Sequence, residues 1–130
     1  MELSFSKMHG CGNDYIVVDG REFDLDWSNI ALKYCERKFS VGADGLLVVK
    51  NSNKAPVKMS MYNPDGSEAQ MCGNGIRCFT KYIIENEIVE YQKNGLLIET
   101  LAGVLTVYPH KNSNGLIDTV NVSMGEPLFS

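Results

Sequence analysis

Apolar and polar positions alternate in part from Leu3 to Met8, with Leu3, Phe5 and Lys7 set against Ser4, Ser6 and Met8, and this predicts a strand. A loop, Gly10-Cys11-Gly12-Asn13-Asp14, leads into Tyr15-Ile16-Val17-Val18, a second strand ended by Asp19-Gly20. The rhythm then lengthens. Ser28 is suited to cap a helix on which Ile30, Ala31, Tyr34 and Cys35 share one face. Gly42-Ala43-Asp44-Gly45 precedes a short apolar run, Leu46 to Val49, which reads as a buried strand. Val57 to Tyr62 predicts another, stopped by Asn63-Pro64-Asp65-Gly66, a turn by its proline and glycine.

Residues 74 to 87 form the clearest predicted helix. Arg77, Lys81 and Glu85, four apart, make one polar stripe, and Ile76, Cys78, Phe79, Tyr82, Ile83 and Ile84 cover most of the remaining circumference. A helix this apolar is buried on nearly every side, so strands are expected to wrap it. The last 40 residues read as all-β: Asn94-Gly95 is a hairpin signal, Gly103 separates Leu96–Thr100 from Val104–Tyr108, and Asn114-Gly115 precedes alternation of Val120, Val122 and Met124 with Asn121 and Ser123. The expected architecture is α+β, a curved, mostly antiparallel or mixed sheet wrapped around a central buried helix.

Composition narrows the function classes. At 130 residues the chain fits one domain with a real core. A net charge of −4 without a basic block argues against nucleic acid and anionic membranes as partners. No apolar run approaches the roughly 20 residues that span a bilayer, and the start Met1-Glu2-Leu3-Ser4 has no secretory pattern, so a cytoplasmic setting is expected. Reduced thiols are then the default for Cys11, Cys35, Cys72 and Cys78. With no Cys-x-x-Cys pair, and His9 and His110 outside zinc-ligand spacing, no metal site is expected.

Candidate chemistry concentrates in Asn63 to Cys78, where a loop of small and polar residues delivers Cys72 to the start of the buried helix. First-turn backbone N–H groups lack helical acceptors and can hold a carboxylate. The same partial positive charge favours a thiolate. Gly73 and Gly75 permit close approach of a ligand to the backbone. Standing alone, Cys72 would be read as a small buried filler, but the Gly-Asn-Gly after it exceeds the backbone freedom a mere connector needs. Cys78 and Cys35 lie on apolar helix faces and are read as structural, whereas Cys11, flanked by glycines, keeps both readings open. The dinucleotide fingerprint is broken because Cys78 stands where its next glycine belongs, and no Gly-Lys-Ser/Thr phosphate loop exists. Nothing around Cys72 resembles a cysteine-protease signature.

Two blocks, Lys7 to Tyr15 (Lys-Met-His-Gly-Cys-Gly-Asn-Asp-Tyr) and Asn63 to Cys78, resemble the diaminopimelate epimerase family. Arg37 through Gly42-Ala43-Asp44-Gly45 is a weaker third match, and Met124-Gly125-Glu126-Pro127 is similar to the segment closing the family's first domain. The resemblance implies a cofactor-independent isomerase that interconverts LL- and meso-diaminopimelate for lysine and cell-wall synthesis, built of two similar halves with the active site between them. It implies Cys72 as the first-half catalytic cysteine and Asn13, Asn63, Gly73 and Asn74 as substrate-binding positions. At Gly45 some members carry a substrate-contacting Gln, a contact this chain lacks.

The family's second half supplies another cysteine and a Glu-Arg pair. Residues 1–130 therefore read as an N-terminal domain, whether an excised domain or a truncation product, whose C-terminal half is absent. Such a domain is expected to be inactive alone, with an apolar inner face left open, whereas the full-length form is expected to be a homodimer. Three alternatives stay open: a related two-cysteine racemase or phenazine-pathway isomerase, a non-catalytic carboxylate-binding module, and a purely structural domain.

Overall fold

The computed structural model describes residues 4–10, 12–36, 42–70 and 73–123. Cys11, Arg37, Cys72 and the Met124–Pro127 match lie outside the described residues. In chain order the elements are β1 (Phe5–Gly10), β2 (Asn13–Asp19), α1 (Trp27–Tyr34), β3 (Gly45–Lys50), β4 (Val57–Tyr62), β5 (Glu68–Ala69), α2 (Gly73–Glu85), β6 (Leu96–Thr100), β7 (Gly103–Lys111) and β8 (Ile117–Ser123).

One sheet runs β1-β2-β3-β4-β6-β7-β8, with the short β5 paired to β4 off this path. The β2–β3 and β4–β6 pairs are parallel and the others antiparallel. Parallel neighbours require a crossover, and the two crossovers carry α1 and α2 respectively. The sheet curls until α2 touches both edge strands, β1 and β8, as well as β2, β3, β4 and β7 between them. The mixed sheet around a central helix is therefore present as expected.

The two faces explain the hydrophobic rhythm. Side chains alternate across a strand. In the centre both faces are covered: Tyr15, Val17, Leu47, Val49, Met59 and Met61 pack inward on Ile76, Phe79 and Ile83 of α2, while Ile16, Val18, Leu46 and Val48 pack outward under Trp27 and Ala31 of α1. Such strands read as continuous apolar runs. Beyond β4 only the inner face is covered, so β6 and β7 alternate, with Leu96, Ile98, Leu105 and Val107 buried. On β8, whose pairing with β7 shifts register at His110/Lys111, the buried residues Ile117 and Val120 are three apart. The inner face is occupied by α2, and the large apolar side chains that are exposed (Phe5, Leu32, Leu97, Leu101, Val104 and Leu116) lie on β1, α1, the β6–β7 hairpin and the turn before β8.

Several local expectations need correction. The cap of α1 is Asp26, whose carboxylate accepts from Asn29 N at 3.2 Å. The helix starts earlier than Ser28 because Trp27 is already helical, its ring anchored against Gly20, where an added Cβ would lie 2.6 Å from it. The Ser28 hydroxyl donates instead to Gly66 O at 2.6 Å. Asn94-Gly95 is a turn but joins no hairpin, because the strand after it, β6, pairs in parallel with β4; the hairpin is β6–β7, around Leu101 and Ala102. Helix α2 ends at Glu85. Glu87 is left-handed (φ 58°), Glu87 N donates to Ile84 O at 3.1 Å and Ile88 N to Ile83 O at 2.9 Å, so the last carbonyls are satisfied by a Schellman motif.

The polar stripe of α2 does not simply face water. Arg77 Nε donates to Val120 O at 3.2 Å and Lys81 Nζ to Ile117 O at 2.9 Å, while Glu85 accepts from Ile117 N at 3.0 Å. These side chains stand where a further strand would pair with β8, and they satisfy part of an edge that would otherwise be a template for another chain.

Candidate active site

Of the candidates, those among the described residues, Asn13, Asn63, Gly73 and Asn74, lie along one rim of the curled sheet. Tyr15 lies opposite Gly45, and Leu46 opposite Tyr62, so the start of β2, the start of β3 and the end of β4 share that rim. Asn13 opens β2, Asn63 follows β4, and Gly73-Asn74 opens α2.

Side-chain amides join two of these elements. Asn74 Nδ2 donates to Asn13 Oδ1 at 2.8 Å, across 61 residues of sequence. Asn13 Nδ2 donates to Asp44 Oδ2 at 3.3 Å, and the same oxygen accepts from Asp14 N at 2.7 Å. Asp44 N returns a bond to Asp14 O at 2.8 Å. At the other end of the chain of bonds, Arg77 Nη1 donates to Asn74 Oδ1 at 3.4 Å. Asn13 and Asn74 therefore sit at the amino end of a 13-residue helix, where first-turn N–H groups have no helical acceptor.

Asn63 is held within its own turn. Its N–H donates to Ser67 O at 2.8 Å, its Nδ2 to Ser67 Oγ at 3.1 Å, and its carbonyl accepts from Gly66 N at 2.9 Å. Asp65 accepts from Ser67 Oγ at 2.6 Å and from Ser67 N at 2.9 Å, and these bonds, the hydroxyl's first, hold its carboxyl below the usual carboxylate range. Position 66 needs glycine: its φ is +89° and a Cβ would lie 3.0 Å from Ser28 O.

Gly73 has space in front of it, since among the described residues a Cβ there would meet Arg77 Nη1 alone, at 3.5 Å. The glycine is not demanded by that packing, which fits close approach of a ligand. Gly45 is the opposite case, being buried, with Tyr62 O 3.2 Å from a Cβ. Cys35 and Cys78 are buried, Cys78 on α2 among the core residues. A cavity of about 430 Å³ between α2 and β8 is lined by His9, Arg77, Cys78, Lys81 and residues 117–121, so Arg77 belongs both to this cavity and to the amide chain. His9 Nδ1 contacts the Asp14 carboxylate, and Lys7 Nζ lies 4.0 Å from it. Among the described residues no group of three or more His, Cys, Asp or Glu converges, and no helix is long and apolar enough to cross a membrane.

Sequence reasoning did not single out Asp44 or Arg77 as site residues. Asp44 lies among small residues before a strand and looks like turn chemistry, and Arg77 looks like one member of a solvated stripe.

The architecture defines a class first. The hydroxyproline epimerase from Agrobacterium vitis, solved with trans-4-hydroxy-L-proline, superposes with a TM-score of 0.74 at 17% identity, over 94% of this chain and 41% of that one, and so shares its fold. The diaminopimelate epimerase family model matches residues 5–129, and the chain belongs to that family. The diaminopimelate epimerase of Caldanaerobacter subterraneus subsp. tengcongensis is 52% identical over 127 residues, 98% of this chain and 45% of the relative. That of Halothermothrix orenii is 50% identical over 133 residues, 99% of this chain and 45% of the relative. The chain thus spans a little under half the length of the curated relatives it matches.

Proposed function

We propose that this chain is the N-terminal half of an epimerase that interconverts LL- and meso-diaminopimelate. In this reading Cys72 is one of two catalytic thiols, and the other comes from the half of the longer relatives that this chain does not cover. The observation that carries it is the Asn74–Asn13 hydrogen bond at the amino end of α2, the helix whose first residue, Gly73, follows Cys72 directly in sequence.

The α-proton of an amino acid is a very weak acid, so its removal needs charge stabilisation and exact placement together. One thiolate takes the proton from one face while a thiol on the opposite face gives up its own, inverting the centre and exchanging the roles of the two sulfurs. Helix N–H groups beside the substrate stabilise charge building on the α-carboxylate. Asn13, Asn63, Gly73 and Asn74 hold the polar ends in register. No pyridoxal phosphate or metal enters these steps. We also infer a cytoplasmic setting, which suits reduced thiols and a biosynthetic step, and a homodimeric full-length form.

The test is α-proton exchange. LL-diaminopimelate is incubated in deuterated water with this chain alone, with a separately expressed C-terminal half, and with both. Deuterium at the α-carbon only in the mixture, lost on Cys72→Ala, is the expected result. An inert mixture whose halves demonstrably associate refutes the substrate assignment and favours a proline-type racemase or a phenazine-pathway isomerase.

A further inference from the structure

We infer that Asp44 is a positioning residue of this site, fixing the amide of Asn13 in the single orientation that turns its oxygen toward Asn74. The inference rests on the reading of Asn13 and Asn74 as substrate-binding residues, and adds a residue to which the family resemblance gave no role.

An asparagine amide is nearly symmetric in shape but not in chemistry, because one end donates and the other accepts. Left to itself, Asn13 could present either end to a substrate. Asp44 Oδ2 already serves as the acceptor for Asp14 N at 2.7 Å, so the Asn13 end facing that oxygen is Nδ2, and the pair is 3.3 Å apart. A flipped amide would set two oxygens against each other. With Nδ2 committed, Oδ1 faces α2 and accepts from Asn74 Nδ2 at 2.8 Å. Asn74 is fixed in turn, its Oδ1 facing Arg77 Nη1 at 3.4 Å.

Asp44 is itself held. Its Oδ2 accepts from Asp14 N at 2.7 Å, and its own N–H donates to Asp14 O at 2.8 Å, so it is tied to the backbone of the residue next to Asn13. One carboxylate oxygen therefore reads the strand and orients the side chain together. Each amide group has two N–H bonds, and the bonds named use one on Asn13 and one on Asn74. The pair is left with donors to offer, which suits a substrate carboxylate rather than an ammonium group.

The experiment uses the full-length protein with Asp44→Ala and Asp44→Asn, measuring KM and kcat for LL-diaminopimelate together with side-chain amide exchange of Asn13 by NMR. Asp44→Ala is expected to raise KM roughly tenfold, the loss of about one charged hydrogen bond's worth of orientation. It should also speed Asn13 Nδ2 exchange. Asp44→Asn is expected to stay within about threefold of the parent, because Asp14 N–H selects the amide oxygen and leaves it facing Asn13. An Asp44→Ala protein that loses thermal stability yet keeps its KM and its Asn13 exchange rate overturns the inference. If Asp44→Ala does not fold, the parent protein decides: Asn13 amide protons exchanging at the solvent rate refute the positioning role. If the parent does not turn over LL-diaminopimelate, the substrate reading fails, and the exchange measurements still decide the role of Asp44.

Discussion

Glu85 offers the sharpest test of how the β8 edge is closed. Its Oε2 accepts from Ile117 N at 3.0 Å and from Lys81 Nζ at 2.7 Å, so two different interactions converge on one oxygen. The Lys81 contact is an i,i+4 pair on a partly exposed helix face, worth about 0.3–0.5 kcal/mol. The Ile117 contact differs, because that residue is 4% exposed and its N–H begins a strand with no strand partner on that side among the described residues. Leaving a buried N–H without an acceptor costs about 1–3 kcal/mol. Glu85→Gln keeps an oxygen for Ile117 and loses the charge, so it should cost about 0.5 kcal/mol. Glu85→Ala loses both and should cost about 1.5–3 kcal/mol. It should also leave the β8 edge open to another chain, which sedimentation velocity would report as concentration-dependent association. Urea midpoints for the two variants separate the terms. Equal destabilisation by Gln and Ala would mean that the bond to Ile117 contributes nothing and would refute the reasoning.

Gly66→Ala should destabilise by about 1–2 kcal/mol in urea, since φ is +89° and Ser28 O stands 3.0 Å from the new Cβ. Asp26→Ala should cost about 1 kcal/mol and Ser28→Ala should not act as a cap loss, because Asp26 holds Asn29 N. The Asp65 carboxyl lies below its usual range, so the order it lends the 63–67 turn is fully present above the unfolded pKa. That order is lost as pH falls through the lower folded value. The Ser67 amide shift, followed from about pH 5 to about pH 2, should titrate below the free-carboxylate midpoint, and a midpoint at or above it refutes the assignment.

The parts of the fold legible in sequence are those set by local periodicity. Val57–Tyr62 matches β4 residue for residue, and all six apolar positions read on the central helix are buried. What escaped depends on partners distant in sequence. The spacing of Arg77, Lys81 and Glu85 is the same whether the stripe meets water or β8, and only the curl of the sheet decides between them. Asn94-Gly95 has hairpin chemistry, but the strand it introduces pairs in parallel with β4, on the far side of the crossover that carries α2. Among the candidate site residues, Asn13 and Asn74 were picked out from the motif blocks, and their side chains are hydrogen-bonded to each other. Asp44 was not, because a carboxylate between Ala43 and Gly45 is indistinguishable from a turn residue until β2 and β3 are laid side by side.

Most of the circumference of α2 is spent on the core, and the side that is not, the Arg77-Lys81-Glu85 stripe, is turned to β8 and the cavity beside it. The carboxyl end of α2 is closed by the Schellman motif at Glu87, whereas under the proposed function the amino end is where the substrate binds. There the rim residues of β2 and β3 supply the polar frame, and Gly73 leaves space before it. One helix end, however, presents its groups from one side. Inverting a carbon centre needs a base and an acid on opposite faces, which a single such end does not provide. Under the proposed function, the rest of the relatives' length is therefore a chemical requirement: it must bring the second thiol across from Cys72. The Asp44–Asn13–Asn74 frame can be set before that half closes, because every bond in it lies within this chain. In that reading the frame within this chain orients the substrate, and the second half adds the opposing thiol and excludes water.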